Sequence, residues 1–172
     1  MCTAAVLAGG RGRRLGGRHK ALLTLGDGPI IDRQINTLRP VVNSVAIVAN
    51  DRDRYMYLGV PVWPDLHPGV GPLGGILTAL THAADSATLI VAGDMPFLSV
   101  PFLRHLAQVG RDVDVAIPCT VDGYHPLCAS YGDRCVSIIE RQIGAGALKV
   151  ADLLSGIDVH ELGPDETARF DP

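Results

Sequence analysis

The stretch Thr3-Ala4-Ala5-Val6-Leu7-Ala8-Gly9-Gly10-Arg11-Gly12-Arg13-Arg14-Leu15-Gly16-Gly17-Arg18-His19-Lys20 passes from an apolar run into a loop of five glycines and five cations. The run has the length and the following turn signals of a buried strand. Glycine permits positive φ and close approach, so successive amides can form a concave anion cradle while Arg and Lys neutralise phosphate charge. A glycine-rich turn directly after a first buried strand is where open α/β sheets bind their ligands. Two familiar phosphate loops do not fit. A Walker loop reaching Gly17 demands Lys and then Ser or Thr, where this chain has Arg18 and His19. A dinucleotide fingerprint starting at Gly10 needs a small residue at position 15, where Leu15 stands.

Outward from this loop, further apolar runs of strand length occupy 45–50, 60–63, 88–93 and 113–118. Helical patterns separate them. Pro29 suits a first helical position, Ile30, Ile31, Gln34, Ile35 and Leu38 share a stripe, and Pro40 ends it. Further helices are predicted over 73–84, 100–109, 134–143 and 148–154, with an edge strand over 157–162, and Asp122-Gly123 reads as a hairpin or loop tip. Alternating strands and helices predict a Rossmann-like, doubly wound α/β domain spanning residues 1–172, its mostly parallel sheet covered by helices on both faces. The loops after Ala8, Asn50, Trp63 and Gly93 are then the candidate chemical edge.

The 172 residues are 47% hydrophobic, 19% charged and 5% aromatic, which describes one folded domain with an aliphatic core. A net charge of −3 argues against a nucleic-acid partner. The five cations between Arg11 and Lys20, with no acid among them, nonetheless lead us to expect something anionic near the N-terminus. No apolar run is long enough to span a bilayer, so a cytoplasmic protein without a membrane partner is expected. Cys2, Cys119, Cys128 and Cys135 have no zinc-knuckle or redox spacing and are read as reduced thiols.

The order Leu-Ala-Gly-Gly-x-x-x-Arg-Leu-Gly-x-x-x-Lys over residues 7–20 resembles the nucleotide-binding loop of the nucleoside triphosphate transferases, in particular the MobA-type molybdenum cofactor guanylyltransferases. Pro64-Asp65, Gly71-Pro72-Leu73-Gly74-Gly75-Ile76, Gly93-Asp94-Met95-Pro96-Phe97 and Tyr124-His125-Pro126 resemble that family's later motifs in order and spacing. The resemblance implies a nucleotide-diphospho-sugar transferase-like fold. It also implies a Mg²⁺-dependent reaction that joins GMP from GTP to the phosphate of molybdopterin or Mo-molybdopterin and releases pyrophosphate. By the same resemblance Leu7, Ala8 and Gly9 hold the nucleotide through backbone contacts, Gly10 and Gly12 let the loop wrap the phosphates, and Arg14 and Lys20 pair with phosphate oxygens. Asp94 is the implied Mg²⁺ ligand, Asp65 and Asn50 face the nucleoside, and Gly74 belongs to the segment that accompanies guanine. His125 falls where the acceptor is expected.

Three positions depart from the family pattern. His19 stands where an acid commonly precedes the loop lysine, Val48 stands where an asparagine lies upstream of Asn50, and no Asn-x-Asn-Thr-Pro segment occurs before Pro172. By the resemblance an asparagine of that segment helps the metal, and Asp171 is the candidate substitute. Cytidylyl transfer, transfer to another small phosphate acceptor, and a non-catalytic GTP- or cofactor-binding role therefore stay open, as does homodimer formation.

Overall fold

In the computed structural model, residues 2–9 and 20–170 are described. The first apolar run forms strand β1 (Thr3–Leu7), and every residue from Thr3 to Val6 is buried because the strand lies mid-sheet. A small antiparallel pair follows, β2 (Thr24–Leu25) with β3 (Gly28–Pro29). The chain then alternates through helix α1 (Ile30–Leu38), β4 (Ser44–Val48), β5 (Val62–Trp63), α2 (Pro72–Ala83), β6 (Ala87–Ala92), α3 (Val100–Val109) and β7 (Val115–Thr120). It ends through β8 (Gly123–Tyr124), β9 (Cys128–Gly132), α4 (Cys135–Gly144), α5 (Val150–Leu153), β10 (Val159–Leu162) and α6 (Pro164–Ala168).

The sheet order is β10-β7-β9-β6-β1-β4-β5, with β8 paired to β7. β1 runs parallel to both β4 and β6, Val6 lying opposite Ile47 on one side and Val91 on the other. β9 runs antiparallel between β6 and β7. This is the expected mostly parallel α/β arrangement with one reversed strand, which the sequence reading did not contain. The reason is chemical: Cys128-Ala129-Ser130-Tyr131-Gly132 carries few β-branched residues and shows no alternation, because all five are buried on both faces.

Alternation along β1 sends Ala4 and Val6 to one core and Ala5 to the other. The first core is closed by Ile31, Ile35 and Leu38 of α1 with Phe102, Leu103 and Leu106 of α3. The second is closed by Leu73, Ile76, Leu77 and Leu80 of α2 with Cys135 and Ile139 of α4. Each fully buried Leu or Ile of this kind contributes about 1.5–3 kcal/mol of transfer free energy.

Several boundaries shift. Pro29 pairs in β3 and caps α1 from an extended conformation, so the helix begins one residue later than its composition suggested. The fifth apolar run, 113–118, is in register two residues further on, as β7, because β10 pairs it from Val115. Asp122 and Gly123 do make a hairpin tip, Gly123 at φ 103° opening β8. Gly110 ends α3 at φ −64°, an ordinary helical value. It is glycine because a Cβ there would fall 2.1 Å from Ser130 Oγ.

Candidate active site

A cleft of about 860 Å³ opens at the carboxyl ends of β1, β4, β5 and β6, the edge where parallel α/β sheets place ligands. Its volume is within the range of small-molecule sites. Leu7, Ala8 and Gly9 form its floor, Asn50 and Asp65 one wall, and Lys20 and Asp94 another.

Asp94 sits at the third position of a tight turn, Ala92-Gly93-Asp94-Met95, closed by the Met95 amide donating to the Ala92 carbonyl at 3.4 Å. The turn lies directly on β1. Gly93 N–H donates to the Leu7 carbonyl at 3.0 Å, and a Cβ on Gly93 would meet that oxygen at 3.0 Å and Ala8 Cα at 3.2 Å. Glycine is required there by approach rather than by φ. Ala21, 3% exposed, packs on the same spot and anchors the short 3-10 turn Lys20–Leu22. Lys20 Nζ thereby reaches Asp94 Oδ2 at 3.0 Å, with the two side chains 52% and 43% exposed.

The floor offers fewer free backbone groups than three residues would suggest. Leu7 C=O is taken by Gly93, Ala8 N–H donates to Val48 C=O at 3.0 Å, and Ala8 C=O accepts from the Tyr55 hydroxyl at 3.5 Å. Tyr55 is fully buried, and burial pushes its phenol pKa up, so it stays a donor. The Gly9 amide has no partner among the described residues, which makes it the donor on the floor for an anion or a base edge.

Asn50 and Asp65 come together. The Asp65 amide donates to Asn50 Oδ1 at 2.9 Å, while Asp65 Oδ1 accepts from the His67 amide at 2.9 Å and the Thr78 hydroxyl at 3.3 Å. The His67 bond is an Asx turn, as a Pro-Asp context favours. It leaves Asp65 Oδ2 and the Asn50 amide nitrogen without partners among the described residues, beside the cleft. Thr78, fully buried in α2, supports this corner by also accepting from Leu66 N–H at 3.0 Å. Nothing in its sequence context singled it out.

α2 begins at this cleft, capped by Gly71 at φ 81° and ψ −152°, a conformation open to glycine, with Pro72 in its first turn. Gly75 lines the cleft, where a Cβ would press on Leu7 at 3.2 Å. Gly74 does not. It packs on the loop before α2, where a Cβ would stand 2.8 Å from the His67 carbonyl. His125 is also apart from the cleft lining, its Nε2 2.8 Å from Thr120 Oγ1, although Leu127 two residues on does line it. Gly10, Gly12, Arg14 and Asp171 lie outside the described residues.

The donor set suits a hard divalent cation that shares its ligands with a substrate. Asp94 supplies one exposed carboxylate, and among the described residues no three His, Cys, Asp or Glu converge into a closed cage. Mg²⁺ commonly binds through one or two carboxylates, with phosphate oxygens and waters completing the shell.

The chain matches the MobA-like NTP transferase domain family over residues 4–158. It is 39% identical over 152 residues to the Probable molybdenum cofactor guanylyltransferase of Pelotomaculum thermopropionicum, covering 88% of this chain and 74% of that protein. Identity to the molybdenum cofactor guanylyltransferase of Desulfosudis oleivorans is 32% over 171 residues, 99% of this chain and 85% of that one. The crystal structure of molybdopterin-guanine dinucleotide biosynthesis protein A from Archaeoglobus fulgidus superposes with a TM-score of 0.83 at 30% identity, over 98% of this chain and 87% of that one.

Proposed function

The chain belongs to the MobA-like NTP transferase family and is a nucleotidyltransferase; from that premise we propose that it transfers GMP from GTP to the terminal phosphate of molybdopterin, with or without Mo, and that Mg²⁺ assists. A phosphate oxygen of the acceptor attacks the α-phosphorus, the new O–P bond forms as the bond to the β-phosphate oxygen breaks, and pyrophosphate leaves with that electron pair. The observation that carries this reading is the Lys20–Asp94 pair at 3.0 Å, on the edge where β1 and β6 end side by side. One cation and one carboxylate at such a spot serve a polyphosphate and its counter-cation respectively.

Lys20 neutralises phosphate charge as it develops, a contribution of several kcal/mol in comparable transfers. Asp94 would hold Mg²⁺, which when bound screens the triphosphate and polarises its oxygens. Gly9 N–H donates to the nucleotide, and Asp65 Oδ2 with the Asn50 amide suits a donor-and-acceptor nucleoside edge such as guanine. Arg14, Gly10 and Gly12 complete the phosphate loop in this reading. Gly74 acts by packing α2 against its own N-terminal loop, so that Gly75 faces the base. The acceptor takes the side of the cleft marked by Leu127.

The test is Mg²⁺-dependent pyrophosphate release with molybdopterin as acceptor, GTP, CTP, ATP and UTP being compared at equal concentration. GTP-selective release is expected. Preference for CTP would keep the chemistry and overturn the base, and binding of GTP without release under any acceptor would overturn transfer itself.

A further inference from the structure

Gln34 is an oddity in α1. It interrupts an otherwise aliphatic stripe, is 1% exposed, and faces the same core as Ile31 and Leu38. Its side-chain nitrogen donates twice, to the Ala92 carbonyl at 2.7 Å and to the Met95 carbonyl at 3.0 Å. Those are the first and last residues of the four-residue turn that carries Asp94. The turn's own closing bond is long, at 3.4 Å, so Gln34 bridges its two ends more tightly than the turn does itself. The arrangement also settles the amide's orientation, because two carbonyl acceptors require the NH₂ and not the oxygen. Gln34 Oε1 is consequently left buried with no partner among the described residues.

A buried amide with an unsatisfied oxygen is costly, and an apolar residue of the same shape would fill this stripe without that cost. What Gln34 supplies that a methionine could not is two donors aimed at one turn. We propose that Gln34 is a positioning residue, a buried clamp that holds the Ala92–Met95 turn so that the Asp94 carboxylate is presented to the cleft in one geometry. This rests on the role given to Asp94 above. Three anchors fix the turn: Gly93 N–H on Leu7, Ala92 N–H on Leu127 C=O at 2.7 Å, and Gln34 from the helix side. The first two partners lie in β1 and just before β9, and Gln34 alone among the three reaches Met95, beyond Asp94.

Three measurements test the clamp. In the wild-type protein without ligand, the Gln34 side-chain NH₂ should exchange with solvent about a hundredfold more slowly than that of exposed Gln108. In Gln34→Met, the amides of Asp94 and Met95 should exchange about tenfold faster while Leu89–Val91 in β6 keep their protection. In the same variant kcat should fall about a hundredfold while KM for the nucleotide moves less than about threefold, as misplacement of a reacting group requires. Unprotected Gln34 protons in the wild type overturn the proposal even if the variant does not fold. Unchanged exchange of the turn in a folded variant, or unchanged kcat, overturns it as well. If the wild-type protein itself shows no transfer, the function reading has failed, and the two exchange experiments still decide the clamp.

Discussion

Lys20 Nζ and Asp94 Oδ2 lie 3.0 Å apart across two loops separated by most of a Rossmann half, and both side chains remain about half exposed. An exposed pair of this kind contributes little to stability, within about 1 kcal/mol. Lys20→Met and Asp94→Asn should therefore each unfold within a degree or two of the parent, while turnover falls about 10²- to 10³-fold. Thermal melts beside steady-state rates check this, and a large loss of melting temperature would reassign the pair to structure.

Neighbouring glycines in α2 should separate packing from binding. Gly74→Ala forces a methyl to 2.8 Å from the His67 carbonyl, a backbone atom that cannot swing aside, and should cost about 1–3 kcal/mol of stability. Gly75→Ala meets the flexible end of Leu7 at 3.2 Å and faces the cleft, so it should raise KM for the nucleotide with a smaller stability loss. Denaturant midpoints set against KM for the two variants give the comparison.

Glu166 ties α6 to the rest of the fold. Its Oε1 is 2.6 Å from His105 Nε2 of α3, and His160 Nε2 of β10 is 3.3 Å from Oε2. The hydrogen bond from His105 holds the Glu166 pKa below its ordinary value of 4.5, outweighing burial, with His160 adding to it. A carboxylate with a lowered folded pKa stabilises above its unfolded pKa, and that stability is lost as pH falls through the folded value. Melting temperature should therefore drop on the acid side of about pH 4.5, and Glu166→Gln should flatten that limb. An identical acid limb in the variant would remove Glu166 as its source.

Cys135, fully buried at the start of α4, has its thiol pushed up to about 12, chiefly by burial and then by Asp114. At pH 8 only about one molecule in ten thousand carries the thiolate. Disulfide reagents should modify half-buried Cys119 first and leave Cys135 untouched until the protein unfolds. Mass spectrometry of the labelled native protein gives the order directly.

The sequence was most legible where burial leaves a period. β1, β4 and β6 are buried on both faces and read as continuous apolar runs, and the stripe of α1 declared its inner side. Asp94 stood out because it follows such a run, and Asp65 through the family resemblance of Pro64-Asp65. β9 did not, since its small residues are chosen by contact with β6, β7 and Gly110 rather than by strand propensity. Gly74 and Gly75 are indistinguishable in sequence, yet a quarter-turn of helix sets one against His67 and Val70 and the other against Leu7. The supports of the site, Thr78 and Gln34, act through hydrogen bonds to residues far along the chain, 12 and 58 or more positions away, which no local pattern records.

The reversed strand β9 has an effect on how the cleft can change. Because β7 turns back through β8 and β9 without a crossover helix, residues 121–127 form a ribbon whose base is pinned, Leu127 C=O accepting from Ala92 N–H at 2.7 Å. Its tip, where Val121 is 96% exposed, can lengthen or shorten without disturbing β1, β6 or the Asp94 turn. The ribbon that ends at Leu127, on the cleft, thus joins a tip free to vary to a base locked into the framework on which the fold is wound.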